Sequence, residues 1–221
     1  MVKNDGKKLL EGAYRLATPQ DNLDYYRKFA ARYDSDFADG LGYSFAATVA
    51  AIYRGLARPE DTPVADIGCG TGLVGADLRG TVDGMDLSPE MLDVARARGV
   101  YRALYRVDLT GDLAVLPDNY GAVVSAGTFT HGHLGPDVLT NLLKIARPGA
   151  LFVIGVNATH FRALGFESEL QRLRTAGRIG PVTASDVPIY AKAEHEHSGD
   201  RALVLTWRLL QADNPKVAGR A

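Results

Sequence analysis

An apolar run, Val64-Ala65-Asp66-Ile67, breaks into a turn with glycine at every second position, Gly68, Gly70 and Gly72. Residues without a β-carbon reach backbone angles closed to the others and let a ligand approach the main chain closely. A second acid, Asp86, ends the next apolar stretch, Thr81-Val82-Asp83-Gly84-Met85-Asp86, twenty residues beyond Asp66. In nucleoside-binding α/β folds a carboxylate at that place accepts both ribose hydroxyls. The combination predicts a nucleoside site at the end of a parallel strand, with Asp86 on the ribose.

The surrounding pattern supports a doubly wound sheet. Ser88 and Pro89 stand where a helix N-cap and first helical residue belong, and Met91, Leu92, Val94 and Ala95 continue an apolar face. Leu104 to Leu109 reads as a third strand carrying Asp108 near its end, and Ala122 to Gly127 as a fourth with a tip of small residues around Ser125. Pro136 to Ala146 reads as a helix stopped by Arg147-Pro148-Gly149, and Leu151 to Val156 as a fifth strand. Strands alternating with helical patterns place ligands outside the strands' carboxyl ends.

Glycine spacing narrows the cofactor. Nicotinamide enzymes place Gly-x-Gly-x-x-Gly at such a turn to seat a pyrophosphate, and here the third glycine of that pattern is replaced by Leu73. The run is instead Asp-x-Gly-x-Gly-x-Gly, which resembles the first motif of class I S-adenosylmethionine-dependent methyltransferases. Together with Tyr33-Asp34-Ser35-Asp36, the stretch from Asp83 to Leu92, and Arg147-Pro148-Gly149, it is similar to the Williams-Beuren-syndrome-region methyltransferase-like group and its bacterial relatives, over about residues 20 to 160. The resemblance implies a three-layer Rossmann-like fold with a seven-stranded, mostly parallel sheet and an antiparallel last strand. Val182 to Tyr190 and Ala202 to Leu210 are similar to its sixth and seventh strands. It also implies S-adenosylmethionine as cofactor and S-adenosylhomocysteine as product. Asp66 and the three glycines would then hold the methionine end, with Tyr33 reaching it from the N-terminal side and Ser125 close by. Asp108 and Leu109 would meet adenine, and Leu87 and Met91 complete the cofactor contacts.

Acceptor chemistry follows from mechanism. In-line methyl transfer needs alignment and a dry site, and a base helps when the acceptor arrives protonated. His131 and His133 follow the fourth strand, where the acceptor pocket should open, and are the candidate catalytic residues. The expectation is O- or N-methylation of a small molecule. Two alternatives stand beside it, a non-catalytic S-adenosylmethionine-binding sensor or partner and a NAD-dependent oxidoreductase.

Composition excludes other classes. Lys plus Arg number 25 against 26 Asp plus Glu, without the clustered basic face of a duplex binder, and Ser125-Ala126-Gly127-Thr128 replaces the Asn/Asp-Pro-Pro-aromatic run of nucleic-acid amino-methylating enzymes. No nucleic-acid partner and no membrane partner are expected. The absence of an apolar leader or an 18-residue apolar run points to the cytoplasm. Cys69, the single cysteine, forms no internal disulfide, and the His131/His133 and His195/His197 pairs are read without a metal. The 221 residues divide into an N-terminal helical segment covering the cofactor site (1–57), with helical patterns at 22–33 and 45–56, a core (58–211) and a tail (212–221). Oligomeric state is open.

Overall fold

Seven strands form one sheet: β1 (Val64–Ile67), β2 (Val82–Asp86), β3 (Ala103–Arg106), β4 (Tyr120–Phe129), β5 (Ala146–Asn157), β6 (Thr183–Pro188) and β7 (Arg201–Arg208). Their lateral order in this computed structural model is β3-β2-β1-β4-β5-β7-β6. Residues 12, 21, 24, 25, 27, 30–130, 134–191 and 195–210 are described. β1 to β5 are parallel. β7 pairs antiparallel with both β5 and β6, so β6 runs with the first five strands and β7 alone runs against them. The strand order reverses at β1, between β2 and β4, which makes the carboxyl end of β1 the topological switch point where such sheets bind ligands.

Among the described residues, five helices complete the layers: α1 (Phe45–Leu56), α2 (Pro89–Arg98), α3 (Asp137–Leu142), α4 (Ala158–Ala163) and α5 (Phe166–Thr175). Alternation along the strands gives two cores. Ala122 and Val124 of β4, with Leu151 and Val153 of β5, meet Phe45, Val49 and Tyr53 of α1. Val123, Phe152 and Ile154 point the other way, into a cluster with Leu139 and Leu142 of α3 and Phe166, Leu170 and Leu173 of α5. There Phe152 stacks on Trp207, with ring centroids 5.1 Å apart. α2 begins as the sequence indicates, with the Ser88 hydroxyl accepting from the Met91 amide at 3.3 Å, Pro89 following, and Gly99 at φ 70° ending it.

Several boundaries differ from the sequence expectation. β3 stops at Arg106, so Asp108 lies in the loop beyond it. The helix expected from Pro136 to Ala146 is α3 followed by a 3-10 turn at Leu143–Ile145, and β5 begins at Ala146. Arg147-Pro148-Gly149 does not end an element before β5; the register with β4 shifts there, and the Gly149 amide bonds the Leu209 carbonyl of the β7 side. α4 and α5 were not anticipated. Before α1, Ala30–Arg32 is a 3-10 turn and Tyr33–Asp39 a π-type turn. Among the described residues no helix is long and apolar enough to cross a membrane.

Candidate functional site

The carboxyl ends of β1 to β4 surround a cleft with about 1070 Å³ of empty space, its open mouth included, lined by the glycine loop, Asp86, Asp108, Tyr33 and Tyr43 among others. The three loop glycines have different jobs. All adopt left-handed angles, φ 63°, 53° and 91° at Gly68, Gly70 and Gly72, which L-residues with side chains adopt at a cost of about 1–2 kcal/mol. A β-carbon at Gly68 would also strike the Thr128 hydroxyl at 2.0 Å, whereas one at Gly70 would meet no protein atom within 4 Å. Gly72 faces away from the cleft, against Tyr101 and Arg98.

β4 is fastened to this loop at its tip. The Ser125 and Thr128 hydroxyls both donate to the Ile67 carbonyl, at 2.8 and 3.1 Å. Ser125 is fully buried and its hydroxyl is consumed by that bond, so it shapes the loop from behind. Ala126, Gly127 and Thr128 present the strand end to the cleft.

The acids fall into two kinds. Asp86 lines the cleft, with Oδ2 accepting from the Gly70 amide and Oδ1 from the Ser88 amide, both at 2.8 Å. Each oxygen keeps a lone pair for a further donor. Burial raises its carboxyl from the ordinary range, against the pull of those amides. Asp108 is exposed in the lining; its Oδ1 takes the Thr110 amide and hydroxyl at 2.9 and 2.7 Å in a tight turn, beside buried Leu109. Asp66 is different: it is wholly buried beneath the loop and accepts from the Tyr101 hydroxyl at 2.7 Å, while its Oδ1 has no hydrogen-bond partner. Burial first, and the charge of Asp86 after it, push its carboxyl up to about 7 against the Tyr101 hydrogen bond.

The N-terminal segment joins the site through a ring of polar bonds. Asp34 Oδ1 accepts from the Thr71 hydroxyl at 2.6 Å, its Oδ2 is paired with Arg98, and Arg98 Nε donates to the Thr71 carbonyl at 2.9 Å. A second tie links Arg27 to Glu90 at the other end of α2, at 3.2 Å. Tyr33, next to Asp34, thereby lines the cleft, as do Tyr43 and Ala46 at the start of α1.

Of the residues singled out from the sequence, Tyr33, Gly68, Gly70, Asp86, Leu87, Met91, Asp108 and Leu109 line this cleft; Asp66, Gly72 and Ser125 stand one layer behind it. His131 and His133 lie outside the described residues. Sequence reading passed over Tyr43, Thr71, Arg98, Tyr101 and Thr128. Thr71 stands at an unspecified position of the glycine motif and Thr128 at the strand tip, while Tyr43, Arg98 and Tyr101 belong to no spaced motif and reach the site by tertiary packing. Among the described residues no group of three or more His, Cys, Asp or Glu is placed to hold a metal.

Residues 65–154 match the model of a family described as a methyltransferase domain. Methyltransferase-like protein 27 of Homo sapiens is 29% identical over 235 residues, spanning 99% of this chain and 92% of that protein. The dTDP-3-amino-3,6-dideoxy-alpha-D-glucopyranose N,N-dimethyltransferase of Streptomyces fradiae is 35% identical over 103 residues, 44% of this chain and 40% of that enzyme. Among solved structures, magnesium protoporphyrin IX methyltransferase from Synechocystis PCC 6803 with bound SAH superposes with a TM-score of 0.59 at 15% identity, over 86% of this chain and 98% of that one.

Proposed function

We propose that this chain, whose residues 65–154 match a methyltransferase domain, draws on S-adenosylmethionine to methylate a nitrogen or oxygen of a small molecule, and that its N-terminal residues 1–57 form the cover of the cofactor site over a core of 58–211. The observation that carries the reading is the cleft itself. Its walls combine bare glycine backbone and the Asp86 carboxylate with two phenols, Tyr33 and Tyr43, contributed by the segment before β1. A site roofed in this way suits a compact acceptor better than a polymer.

The residues present fit the cofactor. Asp86 has unused lone pairs for vicinal hydroxyls, Asp108 keeps Oδ2 for an exocyclic amine beside Leu109, and buried Asp66 Oδ1 lacks a donor near a loop expected to meet an ammonium. Leu87 and Met91 give apolar walls. Bound there, S-adenosylmethionine supplies an electrophilic methyl on a sulfonium. What the protein adds is alignment and exclusion of water: Tyr33 and Tyr43 close the mouth, and the β4 tip, held by Ser125 and Thr128, keeps the ground beside the methionine end small. His131 and His133, following that tip in sequence, are proposed to orient or deprotonate the acceptor. The Streptomyces relative's amino-sugar substrate supports an amine among the acceptors to be tried.

Calorimetry with S-adenosylhomocysteine should show one-to-one binding, lost by at least tenfold in Asp86→Ala. Methyl-labelled S-adenosylmethionine offered with a panel of small amines, alcohols and phenols should then label a product. Retained binding in Asp86→Ala, or label appearing only on protein or nucleic acid, would overturn the proposal.

A further inference from the structure

Tyr101 belongs to no motif, yet the protein is carved around it. It sits in the turn between α2 and β3, and β-carbons added at three glycines, two in the stretch after β1 and one in β2, would collide with or crowd its ring: Gly75 at 2.4 Å, Gly72 at 3.0 Å and Gly84 at 3.1 Å. The ring therefore fills a slot under the glycine loop that only unsubstituted backbone can form. At its end the hydroxyl donates to Asp66 Oδ2 at 2.7 Å. It is the side-chain donor that Asp66 has, for the other oxygen is buried and unpartnered.

We propose that Tyr101 is a positioning residue of the cofactor site, its hydroxyl holding the Asp66 carboxylate charged and oriented beneath the loop that receives the cofactor's amino end. This rests on the reading of the cleft as an S-adenosylmethionine site. A fully buried carboxylate with one side-chain donor is close to the point at which it takes up a proton, and burial does raise Asp66 to about 7 while the Tyr101 bond and, more weakly, the Gly75 amide pull it down. Tyr101 itself stays a donor, because burial and then Asp66 push its phenol far above the ordinary range. The other groups facing Asp66 are Asp86 at the end of β2 and the Cys69 thiol in the loop, itself raised by burial. Arg98 beside Gly72 gives its guanidinium to Asp34, and Val124, in register on β4, carries no charge.

The sign follows. An ionised Asp66 favours an ammonium ligand, so affinity should fall as pH drops through 7. Removing the Tyr101 hydroxyl takes away the pull that lowers the carboxyl, so the fall should begin at higher pH. The test is calorimetric titration of the full chain with S-adenosylhomocysteine from pH 5.5 to 8.5. Wild-type affinity should weaken about tenfold from pH 8.5 to 5.5, and Tyr101→Phe, which keeps the ring in its slot, should shift that fall upward by about one pH unit with near wild-type affinity at pH 8.5. Asp66→Asn should bind weakly with no fall near pH 7. Circular dichroism melts report whether either variant is folded.

No binding by wild type at any pH would sink the cofactor reading itself. Wild-type binding with a flat profile, an Asp66→Asn profile that keeps the wild-type fall, or a Tyr101→Phe loss equal at every pH would each leave the cofactor site standing and overturn the role given to Tyr101.

Discussion

At Gly68 two independent demands meet in one residue, a left-handed φ of 63° and the Thr128 hydroxyl where a β-carbon would go. Gly68→Ala should therefore cost more than the about 1–2 kcal/mol of the backbone angle alone, and should abolish S-adenosylhomocysteine binding by calorimetry even where the protein still folds. Gly70→Ala has the same angular cost without the collision, and its melting temperature should fall less. Asp66 gives a prediction of opposite sign for stability and binding. A carboxyl raised from 3.8 to about 7 by burial stabilises the fold below its unfolded value and withdraws that contribution as pH rises through 7. Asp66→Asn should thus melt higher than wild type at pH 8, by up to about 4 kcal/mol, with the gap closing toward pH 4. Most of the cleft lining was legible in the sequence because glycine at alternate positions and acids at strand ends have few other uses together. Tyr101, Thr128 and Tyr43 were not, since a phenol or hydroxyl that arrives by packing leaves no spacing to read.

The elements show which local signals dominate. The N-cap of α2 was readable from Ser88-Pro89 because both preferences act within one turn; Ser88→Ala should cost about 1 kcal/mol in chemical denaturation. α1 likewise matched its apolar period. By contrast Pro148-Gly149 reads as a terminator, yet the pairing of β4 with β5 resumes beyond it, because the sheet tolerates an irregularity at an end where Gly149 bonds Leu209 instead. α5 carries Phe166, Leu170 and Leu173 at helical spacing and was legible though it went unread, whereas six-residue α4 is too short for an apolar period to show. Opposite the cleft, at the amino ends of the strands, Asp61 shows how far a buried charge depends on its partners. Burial works to raise its carboxyl, but bonds from Arg208 at 2.8 and 3.0 Å and from the Arg58 amide bring it below the ordinary range. Arg208→Ala leaves that charge uncompensated, and should cost about 3 kcal/mol by denaturant titration without touching cofactor affinity.

For the whole molecule, the seven-stranded sheet with its single reversed strand and the match of residues 65–154 to a methyltransferase domain agree with what the motifs implied. The sequence signal faded on the side of the cleft lined by Tyr33, Tyr43 and Leu134. The ring of Asp34, Thr71 and Arg98 has a mechanical meaning for that side. It crosses three stretches of chain far apart in sequence, so the N-terminal segment and the glycine loop cannot loosen separately without breaking a charged bond. When ligand enters, slowed amide exchange should spread from residues 68–75 to 30–39 as one event, and Arg98→Ala should split it in two.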